Sequence, residues 1–254
     1  MKFTDRFHFG FRYLPVLIFW GLLNTLNGQV LQQEEVKIGT RQVQLPYNRL
    51  IQPAGKEILF GDASNESHAM EVAVSPDRKW VAVLERSSIV FISTADNTIR
   101  YILRNSLHSA LRGAMNTYSG LVWHISKGIP EVYWSVVGID DRSYVASATW
   151  DGTKAEFGKL FEYKKNPPAE MALPNEMLIN SESNKEYLYV VLNGNNKVIK
   201  QDLATGDTIW VADPGVAPYG ITMAAGKLYV TNWAGRHPLP DDKNVAGIPW
   251  GFAK

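Results

Sequence analysis

Short runs of alternating apolar and polar positions, each closed by a turn, occupy most of the chain. In Met70 to Ser75, Met70, Val72 and Val74 share one face. Pro76-Asp77 turns the chain, Lys79 to Leu84 returns it, and Ile89 to Ile92 and Thr98 to Leu103 follow around an Asp96-Asn97 turn. A two-residue period bounded by Pro, Gly, Asn and Asp predicts antiparallel strands with tight connections. Asn48 to Gln52 adds a short strand before the Pro53 to Lys56 turn. Asn105 to Ser119 breaks the rhythm: Leu107, Ala110 and Leu111 have weak helical spacing and Gly113 interrupts it, so an excursion from the sheet edge is expected there.

The rhythm then resumes. Leu121 to Ile125, Val132 to Val137, Ser143 to Trp150 and Phe157 to Tyr163 form a second set, with Asp151-Gly152 as a hairpin signal. Met177 to Ile179, Tyr187 to Leu192, Val198 to Leu203 and Thr208 to Ala212 form a third set after Pro167-Pro168. Lys200, Gln201 and Asp202 interrupt the alternation of its third member, which therefore reads as an outer, half-exposed strand. A fourth set opens at Pro218 and reaches Tyr229 to Trp233, after which Arg236 to Lys254 shows no alternating run. Leu188, Tyr189 and Val190 recur as Leu228, Tyr229 and Val230, 40 positions on in each case. Repeats near that length, with several short strands each, are the mark of propeller blades. The expected fold is all-β: a β-propeller of four-stranded antiparallel blades, incomplete at three blades plus half of a fourth, over 47–254. Trp80, Trp134, Tyr189 and Tyr229 are expected between blades.

The first 46 residues do not share this pattern. Lys2, Arg6 and Arg12 precede an apolar stretch from Tyr13 to Leu23, and small or polar residues lead to Gly28. This is the layout of a secretory signal peptide over 1–28. The apolar stretch is shorter than the ~20 residues that cross a bilayer, so a stable membrane anchor is not expected after cleavage. Residues 29–46 read as a linker. The absence of cysteine excludes disulfides and thiolate metal sites. It suits export to a periplasm or cell surface without disulfide stapling. A formal net charge of +1 in 254 residues offers no field for nucleic acid.

Candidate chemistry is sparse. His8, His68, His108, His124 and His237 have no metal-ligand spacing. Asp140-Asp141 and Asp241-Asp242 read as solvated loop residues, and no G-x-S-x-G is present. No catalytic residue, metal site or cofactor is expected. Asn193, Asn195, Asn196, Asn232, Trp233 and Arg236 cluster where strands give way to loops. Turn chemistry accounts for the asparagines, and a ligand-binding rim is the alternative.

Tyr229-Val230-Thr231-Asn232 is the motif of the YVTN-type propeller repeat, and Ala73-Val74-Ser75-Pro76-Asp77 resembles that family's first turn, with Arg78 in place of Gly. Further segments resemble the YncE-like propeller half of bacterial proteins that join a propeller to an alkaline-phosphatase-type phosphoesterase. They are Gln52 to Lys56, Ala172 to Glu176, Tyr189 to Asn196, Gly215 to Ile221 and Ala246 to Gly251. The resemblance implies an exported binding or scaffolding module whose partner is a protein or small-molecule ligand. The alternative it implies is the propeller part of a phosphoesterase whose catalytic domain has no matching residues here. Three and a half blades cannot close a ring of about seven, so open edges invite self-association.

The export expectation has a direct check. Mass spectrometry of the exported protein should find a mature N-terminus near Gln29; an intact Met1 in the membrane fraction would contradict it.

Overall fold

The computed structural model describes residues 43–52, 55–61, 67–167, 169–237 and 239. The expected signal peptide, the 241–254 segment and Asp241-Asp242 lie outside the described residues. The chain forms two compact units, divided after Leu59.

In the first unit, β1 (Val43–Leu45) pairs antiparallel with β2 (Arg49–Ile51) through a 3-10 turn, Pro46–Asn48. Tyr47 and Asn48 adopt positive φ in that turn, and the Gln44 amide donates to Asn48 Oδ1 across it. Part of the expected linker is therefore a strand. The Asn48 to Gln52 segment pairs with that strand through Arg49, Leu50 and Ile51.

The second unit is a series of antiparallel meanders. The first sheet contains β3 (Ala69–Val74), β4 (Trp80–Glu85), β5 (Ser88–Ser93) and β6 (Ile99–Arg104) in chain order. The second contains β7 (Met115–Ser126), β8 (Ile129–Val137), β9 (Ser143–Trp150) and β10 (Ala155–Tyr163). The third contains β11 (Pro174–Glu182), β12 (Lys185–Leu192), β13 (Lys197–Asp202) and β14 (Thr208–Ala212). The hairpin of β15 (Pro218–Ala224) and β16 (Lys227–Asn232) follows. The innermost strands touch in chain order, β3 to β7 to β11 to β15. This is the expected all-β architecture: blades of a propeller, stacked and not closed into a ring.

The turns work as their residues predict. Asp77 Oδ1 receives Ser75 Oγ at 2.6 Å and the Lys79 amide at 3.1 Å, closing the β3–β4 turn. Asp151 Oδ1 receives the amides of Thr153 and Lys154, both at 2.7 Å, in the β9–β10 turn. Short polar side chains that capture backbone amides are what favour Asp at such positions.

Packing between sheets supplies the core. Ala82, Leu84, Phe91 and Leu103 of the first sheet meet Trp123, Trp134, Tyr144 and Trp150 of the second. Phe91 stacks on Trp150 with centroids 4.3 Å apart and an interplanar angle of 6°, while Trp80 meets Trp150 edge-on at 5.1 Å. The second and third sheets bury Tyr133, Val145, Phe161, Leu188 and Val190 between them. A smaller cluster of Tyr189, Val191, Val198 and Ile221 joins the third sheet to the β15–β16 hairpin.

Four expectations change. The excursion expected over 105–119 ends sooner: two 3-10 turns, Asn105–Leu107 and Ser109–Leu111, lead directly into β7 at Met115. Asn116 explains the difference, because its amide donates to the carbonyls of Glu85 at 2.6 Å and Ser88 at 3.1 Å, tying the start of β7 to the first sheet. The strand expected over Met177 to Ile179 is longer, beginning at Pro174, with a register irregularity before Met177. The strand expected to be outer, β13, lies between β12 and β14. Its buried Lys200 and Gln201 have partners on other strands: Lys200 Nζ lies 2.6 Å from Glu182 Oε2, and Gln201 Oε1 receives the Tyr163 hydroxyl at 3.0 Å, while Gln201 Nε2 has no partner among the described residues. Buried charge and amide groups persist when paired in this way. Trp134 and Tyr189 are buried between sheets as expected and Trp80 is half-buried there, but Tyr229 is 53 % exposed because, among the described residues, no further sheet covers its face of β16.

Trp150 is the keystone of the first inter-sheet core. Trp150→Ala should cost about 3–5 kcal/mol in urea denaturation, against about 0.5 kcal/mol for the exposed Val72→Ala. Equal losses would contradict the packing described.

Candidate functional site

Three places in the second unit carry polar chemistry. The first is the expected rim. The Asn193 side-chain amide donates to Pro218 O at 3.0 Å, and Asn196 Oδ1 receives the Ala217 amide at 2.8 Å. Asn232 donates to Pro214 O at 3.0 Å from the other side. These three asparagines thus hold the β14–β15 connection where the third sheet meets the last hairpin. Asn195 instead bridges Lys164 O and the Asn166 amide. Trp233 stacks on Tyr219 at 4.4 Å and is 63 % exposed, and the Arg236 guanidinium donates to His237 O. The structure brings Asn193, Asn196, Asn232 and Trp233 to one junction and engages the asparagine amides with backbone.

The second place lies on the inner strands. Glu71 on β3 and Glu176 on β11 approach each other across β7. Burial, and then the charge of Glu176, raise the Glu71 pKa to about 7 against the partial relief of the Gly120 and Leu121 amides. Burial also raises Glu176. Glu71 Oε2 is buried without a hydrogen-bond partner. Gly120 makes the approach of β7 to β11 feasible. Its φ is +101°, and a Cβ there would collide with Asn175 O and Ser135 Oγ. Ser135 Oγ donates to Asn175 O at 2.6 Å, linking the same two sheets. The two glutamates are far apart in sequence and no local spacing joins them; only the alignment of successive inner strands reveals the pair.

The third place is a cleft of about 540 Å³ at the β4–β5 turn and the end of β6, bordered by Glu85, Arg86, Ser88, Arg104, Asn105 and Met115. Its volume lies within the roughly 300–1,000 Å³ of small-molecule sites. Sequence reading missed it because its residues look like ordinary strand ends.

The histidines serve locally. His108 Nδ1 receives the Ala110 amide and its ring packs near Phe157. His124 Nε2 lies 2.9 Å from Glu186 Oε1. Asp140 and Asp141 pair with Arg142 and Lys165. Among the described residues, no group of three or more His, Asp or Glu is placed to hold a metal ion. No described helix is long and apolar enough to cross a membrane.

No family model and no curated protein matches the chain. Solved structures that resemble it include a Bacteroides caccae protein of unknown function, at 12 % identity and TM-score 0.47, covering 77 % of this chain and 63 % of that one. A structure from a nidogen/laminin complex aligns at 16 % identity and TM-score 0.43, covering 63 % and 54 %. The WD40 domain of SCAP from fission yeast aligns at 8 % identity and TM-score 0.40, covering 64 % and 39 %. The chain spans about three fifths of the length of the first of these.

The Glu71–Glu176 pair makes stability depend on pH. A carboxyl whose folded pKa lies above its unfolded value of 4.5 loses stabilisation as pH rises through 4.5 to about 7. Glu71→Gln should therefore raise stability at pH 8 by ~1 kcal/mol, after allowing for solvent around the half-buried carboxyl, and leave it unchanged near pH 4. Denaturant midpoints at the two pH values check this; an equal effect at both would contradict it.

Proposed function

We propose that the chain is an exported propeller module that binds and scaffolds, with no catalytic site of its own. One observation carries the reading. On the outer strand of the second sheet, Phe161 and Tyr163 are buried against the third sheet. On the outer strand of the third sheet, Ile209, Trp210 and Val211 are 50 %, 36 % and 51 % exposed. The last hairpin has only two described strands and covers the inner half of the third sheet. An apolar outer half and a β16 edge that is unpaired among the described residues together form a surface that receives further β-structure, because both unsatisfied strand edges and exposed apolar area favour association. The occupant we infer is sheet structure from a second copy of the chain. The fold supports a scaffold, and the signal-peptide pattern supports its export.

A second reading rests on the segments that resemble propeller–phosphoesterase proteins. Three of them fall on described strands: Ala172 to Glu176 runs into β11, Tyr189 to Asn196 covers the end of β12 and its turn, and Gly215 to Ile221 runs into β15. In that reading the module serves a phosphoesterase domain encoded with it. Sequencing the gene past the Lys254 codon separates the two: an in-frame phosphoesterase supports the second reading.

Sedimentation velocity tests the scaffold reading. The protein should self-associate at micromolar concentration, and Trp210→Asp should weaken that association about tenfold. A wild-type protein that stays a compact monomer throughout would overturn it.

A further inference from the structure

The cleft beside the first sheet is a built site, and its unsatisfied groups define what it takes. Glu85, Ser88 and Arg104 are direct partners across three neighbouring strands. They therefore share one face, with Glu85 and Arg104 about 10 Å apart at the backbone. The adjacent rung on that face is Val83, Val90 and Ile102. A charged rung thus lies beside an apolar one, and Glu85, Ser88 and Arg104 of the first and Val90 and Ile102 of the second border the cleft.

The floor is held firmly. Glu85 Oε2 receives Ser88 Oγ at 2.7 Å and the Ser87 amide at 3.2 Å. The Asn105 amide donates to Asn116 Oδ1 at 2.9 Å, and the Asn105 backbone N–H donates to Ser87 O at 2.8 Å. Among the described residues, two charged groups lack an opposite charge and one buried oxygen lacks a donor. Glu85, 4 % exposed, has no cationic partner. Arg104, exposed at the cleft edge, has no carboxylate partner. Asn105 is 1 % exposed and its Oδ1 has no donor. A buried acceptor left without a donor is costly, so this oxygen favours a ligand that brings one.

We propose that the cleft binds a free α-amino acid with an apolar side chain. The carboxylate pairs with Arg104, the ammonium donates to Glu85 and Asn105 Oδ1, and the side chain lies along Val90 and Ile102. A zwitterion supplies both charges and three N–H donors, matching Arg104 as the cation and Glu85 and Asn105 Oδ1 as acceptors. Charge-assisted hydrogen bonds of this kind are the stronger class. An anion alone would leave Glu85 and Asn105 unmatched, and a cation alone would leave Arg104 unmatched.

Calorimetric titration of the whole protein with L-leucine at neutral pH tests the proposal. Leucine should bind, while N-acetyl-L-leucine, which lacks the ammonium, and L-leucinamide, which lacks the carboxylate, should each bind at least about tenfold more weakly. Glycine should bind more weakly than leucine. Arg104→Ala, at an exposed position, should keep the thermal midpoint and weaken leucine about tenfold. Failure of leucine to bind at millimolar concentration, equal binding of N-acetyl-L-leucine, or unchanged leucine binding by Arg104→Ala would each overturn it.

Discussion

Face-to-face packing of one sheet on the next is the interaction on which the second unit depends. Each four-stranded meander has two faces, and one of them alone cannot shelter its large aromatic side chains. The Phe91–Trp150 stack, with Trp80 at the edge of Trp150, closes the first interface. Tyr133, Phe161 and Leu188 close the second. Because apolar burial scales with area, the broad aromatic interface between the first two sheets contributes more than the smaller cluster around Ile221. Each sheet depends on its immediate neighbours, so stability is close to a sum of nearest-neighbour terms. That constraint makes the last interface the weakest and leaves the outer strand β14 uncovered among the described residues.

The inner strands are where this stacking creates chemistry. Bringing β3, β7 and β11 together requires a glycine at position 120, because any side chain there would meet the β11 backbone. The same approach sets Glu71 and Glu176 near one another. The cost of that proximity is partly relieved by backbone amides of β7 and by protonation. Polar groups elsewhere are handled by pairing: Lys200 with Glu182, Gln201 with Tyr163, and Asn116 with the backbone of the first sheet. Burial of these groups is acceptable because partners are supplied from neighbouring strands or sheets.

The strands were legible in the sequence because alternation and turn chemistry are local. Asp77 and Asp151 announce their turns, and the Leu-Tyr-Val repeat announces equivalent strands. Burial of Lys200 and Gln201 was not legible, since Glu182 and Tyr163 sit on other strands and only pairing explains why polar residues lie inside. The start of β7 was hidden for the same reason: Asn116 is held by carbonyls of β4 and β5, far back along the chain. The rim asparagines were visible as a cluster, but their backbone partners at Pro214, Ala217 and Pro218 were not. Nor could spacing reveal the cleft, whose Glu85, Ser88 and Arg104 meet through strand register.

The central claim is that stability resides in sheet-on-sheet interfaces and falls toward the last hairpin. Residue-resolved amide hydrogen exchange measures this directly, since protection reports the free energy of local opening. The greatest protection should lie in β4, β5, β8 and β9, with intermediate protection in β12 and the least in β14, β15 and β16. Uniform protection across all the sheets, or a last hairpin as protected as β8, would contradict the account.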